Sequence, residues 1–146
     1  MDAHNAIVRT IVLYGQLIDD LRLEEWGELF TEDATWSAPG VAFRGRSEIV
    51  KGVGAMEPKT RGHVKHLAFT PIIEFDGDNR AHAWTDLITL SKSKEGTWSI
   101  VSVGRYYDLL EYSDGRWRFA SRTCDVDWQT EGGQTLELEL LRPPAR

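Results

Sequence analysis

The chain has 146 residues, of which 41% are hydrophobic and 27% are charged, as is typical of one soluble globular domain with a single core. Its 17 Lys and Arg against 23 Asp and Glu give a net charge of −6. Because there is also no long basic run, nucleic acid is not expected as a partner. The single cysteine, Cys124, precludes an intramolecular disulfide, and no Cys/His cluster has the spacing of metal ligands, so we expect a cytoplasmic protein without a metal. No apolar run approaches the length needed to span a membrane, so no membrane is expected as a partner either.

An amphipathic helix is predicted at the start of the chain, because apolar residues recur at helical spacing from Ile7 onward. At about 100° per residue, the phase of this helix directs Asp19 toward the protein and Asp20 toward water. A second short helix is predicted over Leu23–Phe30. Residues 1–31 therefore form the helical part of the predicted domain.

Short elements follow these helices. A first strand is predicted over residues 34–38, because Pro39-Gly40 breaks the chain directly after it. A short third helix is predicted over residues 47–52, where Ser47 has the character of an N-cap residue.

The second half of the chain is predicted to be a sheet. Residues 63–128 contain four long extended runs separated by turn sequences such as Asp76-Gly77-Asp78-Asn79, which predicts a four-strand antiparallel meander. Pro71 is expected to mark a bend in its strand. Alternating Leu and Glu over residues 134–141 indicate an extra strand. We predict a single α+β domain over residues 1–146, a cone-shaped barrel in which N-terminal helices pack on a strongly curved, mostly antiparallel sheet and leave a pocket between helix and sheet.

Asp19 and His66 are the candidate catalytic residues. A histidine backed by a carboxylate is held in one tautomer and is stabilised when protonated, so it can act as a general base near neutral pH. His63 lies three residues before His66 and faces the other side of an unbulged strand, so only one of them can face the pocket, and His66 is preferred. A carboxylate at a helix C-terminus is unfavourable with respect to the helix dipole. The position of Asp19 at such an end therefore favours a functional role for this residue.

Five further residues are predicted to line a substrate pocket. Tyr14 either hydrogen-bonds an oxygen of the substrate or is a core aromatic residue. Arg122 either anchors a negative group or forms an ion pair with a carboxylate such as Asp125 or Asp86. The aromatic residues predicted to wall the pocket are Trp36, Trp84 and Tyr106.

The order and spacing of several short motifs resemble the SnoaL-like branch of the nuclear transport factor 2-like superfamily. These motifs are Tyr14-x4-Asp19, Glu25-Trp26-x3-Phe30, His66, Gly104-Arg105-Tyr106 and Asp114-Gly115-Arg116-Trp117-Arg118-Phe119. The resemblance covers nearly the whole chain and implies a curved sheet wrapped around helices with a deep pocket. In the scytalone dehydratase and hexachlorocyclohexane dehydrochlorinase relatives, an aspartate at the end of the first helix faces a histidine on a long strand, and Asp19 and His66 match these two positions.

The chain also departs from this pattern. Trp36 stands where scytalone dehydratase has a substrate-orienting tyrosine, and the register places Leu90 or a neighbour where its second catalytic histidine would be. The resemblance therefore implies acid/base chemistry of the kind found in this family, but not the substrate of scytalone dehydratase.

Two hypotheses for function follow. The first is an acid/base enzyme without a cofactor, a lyase or isomerase that carries out dehydration, elimination, isomerisation or cyclisation of a small apolar cyclic or aromatic molecule. The second is the non-catalytic small subunit of an aromatic-ring-hydroxylating dioxygenase with a large partner subunit, or a small-ligand-binding module. The run Leu17–Trp26 resembles the first helix and turn of that small subunit. Because the late strands carry apolar residues on both faces, we also expect a homo-oligomer, a dimer or a trimer.

Overall fold

The computed structural model describes residues 2–57 and 61–129. Its helices are α1 (Ala3–Asp19), α2 (Leu23–Gly27) and α3 (Arg46–Met56). Its strands are β1 (Phe30–Ala38), β2 (Val41–Arg44), β3 (Val64–Ala68), β4 (Ile72–Phe75), β5 (Arg80–Lys92), β6 (Trp98–Ser113) and β7 (Arg116–Gln129). Among these described residues, no helix combines the length and the apolar character needed to cross a membrane.

Helix α1 begins at a side-chain cap and ends where the backbone changes direction. The Asp2 carboxylate accepts the backbone N–H of Asn5 at 2.8 Å, which satisfies one of the free donors at the helix N-terminus. At the other end, Leu21 takes a left-handed conformation with φ of 56° and turns the chain toward α2. Between the caps, the apolar positions predicted from the helical spacing are buried in the core: Ile7, Ile11, Tyr14 and Ile18.

The strands form one curled sheet that does not close, in the order β2-β1-β7-β6-β5-β3, with β4 also paired to β5. Strands β1 and β7 are parallel, and the other pairs are antiparallel. The prediction of an α+β fold with helices on a curved, mostly antiparallel sheet is therefore confirmed. Pro71 lies between β3 and β4, the two short strands that pair with successive parts of β5.

Several predicted boundaries differ from the observed ones. The first strand begins at Phe30 rather than at residue 34, because the chain pairs with β7 at Phe119 as soon as α2 ends. Strand β2 was not predicted; it pairs with β1 across the Pro39-Gly40 turn. The third helix is longer than predicted and extends to Met56. The strand predicted over residues 134–141 lies outside the described residues.

The sheet has two chemically different faces. On β5, Ala81, Ala83 and Leu87 are buried and belong to the core formed with the helices, and we call this side the inner face. The alternate residues His82 and Trp84 lie on the opposite side, which we call the outer face. Functional side chains must therefore lie on the inner face if they are to share a site with the helices.

Candidate active site

Asp19 and His66 form a close pair at the C-terminal end of α1. The His66 imidazole Nδ1 lies 2.7 Å from the Asp19 Oδ1 atom. The backbone N–H of His66 also donates to the same carboxylate, at 3.0 Å to Oδ2 and 3.2 Å to Oδ1. The Asp19 side chain is 3% exposed and the His66 side chain is 16% exposed. The carboxylate is thus buried behind a histidine that retains access from outside.

The fold explains why this pair forms. Strand β3 lies at an edge of the sheet, so one of its sides has backbone donors that no neighbouring strand accepts, and the Asp19 carboxylate accepts one of them. Helix α1 can approach this edge because Gly15, one turn before Asp19, has no side chain. A Cβ atom at position 15 would lie 2.8 Å from the His66 carbonyl oxygen and 3.3 Å from the His66 Cβ atom.

The contact with Asp19 also determines the tautomer of His66. A carboxylate only accepts, so the imidazole nitrogen facing it, Nδ1, carries the hydrogen, and Nε2 of the neutral ring has a free lone pair. Among the described residues, Nε2 has no hydrogen-bond partner. Lys65 adds a weaker contact, with its Nζ atom 3.9 Å from Asp19 Oδ2. His63 lies elsewhere, with its Nδ1 atom 3.3 Å from the carbonyl oxygen of Lys92.

Tyr14 and Trp36 are joined within the inner face. The indole Nε1–H of Trp36 donates to the Tyr14 hydroxyl oxygen at 2.9 Å, and both side chains are buried. Burial raises the pKa of Tyr14 well above its usual value, so the hydroxyl keeps its proton at any physiological pH. The Tyr14 O–H donates to none of the described residues.

Arg122 lies in the core and pairs with a carboxylate that the sequence reasoning did not consider. Its Nε and Nη2 atoms donate to the two oxygens of Asp108 at 2.8 and 2.7 Å, and both side chains are fully buried. The guanidinium carbon also lies 4.1 Å from the Tyr14 ring centroid and 3.9 Å from that of Tyr106. Burial by itself would lower the pKa of Arg122, but the Asp108 carboxylate raises it, so the side chain stays charged.

The predicted ion pairs of Arg122 with Asp125 or Asp86 are therefore wrong. Asp108 precedes Arg122 in the antiparallel register of β6 and β7 and lies directly opposite it, whereas Asp86 pairs with Arg105 on the outer face. Strand alternation separates these two sets of side chains.

The structure also separates one predicted pocket residue from the others. Tyr106 is buried on the inner face beside Tyr14, with ring centroids 5.6 Å apart. Trp84 lies on the outer face, where it pairs with Ile72 and Tyr107. Its even position on β5 places it opposite the helices, so the prediction that Trp84 walls the same pocket is wrong.

Glu57 is a residue near the site that the sequence reasoning missed. It directly follows α3, its side chain is half-buried, and its carboxylate is electrostatically linked to both His66 and Asp19. Burial raises the pKa of Glu57; the charge of His66 opposes this shift, and the Asp19 charge adds to it to a smaller extent. The only signal in the sequence was an acidic residue at the end of a glycine-containing helix, which by itself does not distinguish a site residue from a surface one.

Two further observations concern metal ligands and cavities. Within residues 2–57 and 61–129, no group of three or more His, Cys, Asp or Glu side chains is arranged to hold a metal ion. A cavity of about 840 Å³ opens between α1, α2 and the turn joining β6 to β7, with Arg9, Leu13 and Trp117 among its walls. None of the predicted site residues lines this cavity.

Comparison with known proteins agrees with the geometry. A family model described as a SnoaL-like domain matches residues 1–123. The chain belongs to this family. A comparison with curated proteins gives no significant match.

Solved structures of similar proteins share the fold of this SnoaL-like domain. A variant of Rv3472, a protein of unknown function from Mycobacterium tuberculosis, is 28% identical over 84% of this chain and 70% of that chain, with a TM-score of 0.76. A provisionally assigned scytalone dehydratase from Novosphingobium aromaticivorans is 26% identical over 91% and 88% of the two chains, with a TM-score of 0.76. The beta subunit of a provisionally assigned aromatic-ring-hydroxylating dioxygenase from the same organism is 25% identical over 88% and 91%, also with a TM-score of 0.76.

Proposed function

We propose that this SnoaL-like protein is an acid/base enzyme, a lyase or isomerase that acts on a small apolar cyclic or aromatic molecule without a cofactor. The observation that carries the proposal is the 2.7 Å contact between Asp19 and His66, in which the remaining ring nitrogen of His66 has no partner among the described residues and the imidazole is partly exposed. Burying a carboxylate at a helix C-terminus costs free energy, because the charge loses its hydration and lies at the negative end of the helix dipole. A histidine that becomes cationic beside it offsets this cost.

In the proposed reaction, His66 Nε2 removes a proton from a carbon next to an electron-withdrawing group of the substrate. The Asp19 carboxylate stabilises the imidazolium that forms and keeps the ring in position. The Tyr14 hydroxyl, held by Trp36, donates to the substrate oxygen on which negative charge develops. A general base of this kind contributes about 10²–10⁴-fold to the rate.

The inner face suggests the class of substrate. Its aromatic cluster includes Tyr14, Trp36 and Tyr106, and such rings favour a flat apolar molecule with few polar groups. The likeness to a provisionally assigned scytalone dehydratase supports the same class. Arg122 is engaged with Asp108 through two of its nitrogens, so in this proposal its main role is to fix the rings around it.

The test measures proton removal directly and requires no knowledge of the natural substrate. Wild-type protein is incubated with α-tetralone in D₂O, and exchange of the α-protons is followed by NMR. We expect His66→Ala to lose about 10²-fold or more of the catalysed exchange, and His82→Ala, a substitution on the outer face, to leave it unchanged. Equal exchange by His66→Ala and wild-type protein would exclude the proposed base.

The alternative is that the chain is a non-catalytic subunit of a dioxygenase. The similarity to the beta subunit described above supports this alternative. The formed Asp19–His66 pair favours the enzyme, because an assembly role does not require a buried carboxylate behind an accessible imidazole. A large partner that co-purifies with the chain would support the subunit role.

We also propose that the protein is a homo-oligomer that associates through the outer face. Apolar side chains there remain partly exposed, with Ile72 at 64%, Leu67 at 44% and Tyr107 at 40%. Light scattering of wild-type protein and of Tyr107→Glu tests this proposal, since a charge on that face should favour the monomer.

A further inference from the structure

Helix α1 carries a second stripe of small and apolar residues besides the one that packs in the core. Its members recur three and four residues apart and line the cavity of about 840 Å³ between α1, α2 and the turn joining β6 to β7: Ala3, Ala6, Thr10, Leu13 and Leu17. Ala6 and Leu13 are half-buried, so part of this stripe faces the cavity. Pockets for small molecules commonly measure about 300–1,000 Å³, and this cavity lies within that range.

This cavity lies across α1 from the Asp19–His66 pair. With 3.6 residues per turn, positions two residues apart are about 200° apart around a helix. Gly15 and Asp19 approach His66, whereas Leu13 and Leu17, each two residues earlier, line the cavity. A molecule in the cavity would therefore be separated from the dyad by the helix itself.

The walls opposite the stripe are held in place by hydrogen bonds and aromatic contacts. Trp117 is buried, and its ring centroid lies 5.5 Å from that of Tyr112. The Thr10 hydroxyl lies 3.1 Å from the Trp117 carbonyl oxygen, which joins α1 to β7 beside the cavity. The backbone N–H of Tyr112 donates to the Asn79 carbonyl oxygen at 2.8 Å and holds the turn after β4 at the rim. The cavity is therefore formed before any ligand arrives.

The charged side chains around the cavity fall into two groups. Two ion pairs lie on its α2 side: Arg22 with Glu25, and Arg46 with Glu28. Three other charged residues line the cavity, namely Arg9, Arg116 and Asp78, and their side chains form no hydrogen bond or ion pair with a described residue. Two guanidinium groups against one carboxylate leave one positive charge in excess. Because the whole chain has a net charge of −6 and repels anions, this local excess is a specific feature of the cavity.

We propose that this cavity is a second binding site, separate from the dyad, for a small organic acid with an apolar aromatic body and a single carboxylate. The apolar body lies between Leu13 and Trp117, and the carboxylate accepts hydrogen bonds from Arg9 and Arg116. Guanidinium groups bind a carboxylate through two parallel N–H donors and are weakly hydrated, so they favour this group. A phosphate would bring a second negative charge, which the unpaired Asp78 opposes.

The first experiment measures the contribution of the carboxylate. Naphthalene-1-acetate is the probe, naphthalene-1-acetamide is its uncharged counterpart, and both are titrated into the 146-residue chain by calorimetry. We expect the acetate to bind about tenfold more tightly than the acetamide. Arg9→Gln and Arg116→Gln should each weaken the acetate by about threefold to tenfold, and the double variant should bind both probes alike.

The matched control is Arg44→Gln, because Arg44 is exposed on β2, does not line the cavity and forms no ion pair with a described residue. It should bind the acetate as the wild type does. All three arginines are exposed, so their replacement leaves the core intact. Equal affinity of the wild type for the two probes, or equal affinity of the cavity variants and the wild type for the acetate, would overturn the proposal. Failure of the acetate to bind would overturn it as well.

The second experiment locates the probe by NMR of the indole N–H signals. Trp117 reports on the cavity and Trp36 on the inner face, and Trp117→Phe and Trp36→Phe assign the two signals. We expect naphthalene-1-acetate to displace the Trp117 signal and not the Trp36 signal, and His66→Ala to bind it as tightly as the wild type. Displacement of the Trp36 signal together with loss of binding in His66→Ala would place the probe at the dyad and overturn the proposal.

A second copy of the chain is the competing occupant of this cavity. Leu13→Glu adds a negative charge to the apolar stripe, so it should abolish binding of naphthalene-1-acetate. Because Leu13 is half-buried, urea unfolding verifies that this variant is folded. We expect Leu13→Glu and the wild type to give the same mass in sedimentation velocity. Dissociation of an oligomer by Leu13→Glu would assign the cavity to a second copy and overturn the small-molecule site.

Discussion

Gly15→Ala tests whether the close approach of α1 to β3 creates the Asp19–His66 pair. The added Cβ atom would lie 2.8 Å from the His66 carbonyl oxygen, whereas ordinary carbon–oxygen contacts begin at about 3.3 Å. The helix must therefore retreat by about 0.5 Å, since the obstacle is backbone and cannot rotate away. The same retreat would lengthen the 2.7 Å contact between Asp19 and His66 to about 3.2 Å, beyond the range of a charge-assisted hydrogen bond.

Stability and function should respond differently to this substitution. Overpacking costs about 1–3 kcal/mol, whereas Ala in place of Gly inside a helix contributes about 1 kcal/mol of stability. The net destabilisation should be about 0–2 kcal/mol. The weakened hydrogen bond should cost about 1.4 kcal/mol of imidazolium stabilisation, which corresponds to about a tenfold loss of α-proton exchange.

The assay combines urea unfolding, α-tetralone exchange and the NMR signal of the His66 imidazole N–H, which is displaced downfield when it bonds a carboxylate. Gly54→Ala is the matched control, because the atom nearest to its new Cβ would be the flexible end of Leu23. If Gly15→Ala retained both the wild-type imidazole signal and the wild-type exchange rate, the close approach would not be what holds the dyad.

Three further outcomes follow from the same geometry. Asp108→Asn should destabilise the protein by about 3–5 kcal/mol in urea unfolding, because it leaves Arg122 buried and charged without its carboxylate partner. The double substitution Asp108→Leu and Arg122→Met should cost less than this single change, because it removes both charges. Tyr14→Phe should cost about 1–3 kcal/mol in urea unfolding, because it leaves the buried Trp36 N–H without its acceptor; an unchanged free energy of unfolding would contradict this. Since the pKa of Glu57 is raised in the folded state, the folded protein binds the proton more tightly, and stability falls as pH rises above the usual glutamate range. Glu57→Gln should therefore be more stable than wild type at neutral pH and equal to it in acid, as measured by unfolding at several pH values.

Local patterns in the sequence indicated where helices and antiparallel strands lie, although the run predicted over residues 64–75 is divided into β3 and β4. They also separated neighbouring residues. The helical phase separated Asp19 from Asp20, and the structure places Asp19 against His66 and Asp20 against Arg61. Such phases follow from backbone geometry, which is the same in every protein, and so they can be read without knowing what the element packs against.

The same reasoning failed where the partner of a side chain lies on another strand. Trp84 is aromatic and lies on a predicted strand, but only the pairing of β5 shows that it points away from the helices. The partner of Arg122 depends on the register of β6 with β7, which places Asp108 directly opposite. A register shift of one residue would reverse both assignments, and the sequence of a single strand does not specify that register.

The sequence by itself therefore determined the fold class and brought forward Asp19 and His66, because periodicity and order along the chain are local properties. Only the tertiary structure decided the rest. The 2.7 Å contact depends on Gly15 letting a helix approach an edge strand, and the position of Glu57 depends on how α3 packs on α2. Distances of this kind arise from the packing of elements far apart in the chain, and such packing is a property of the whole fold.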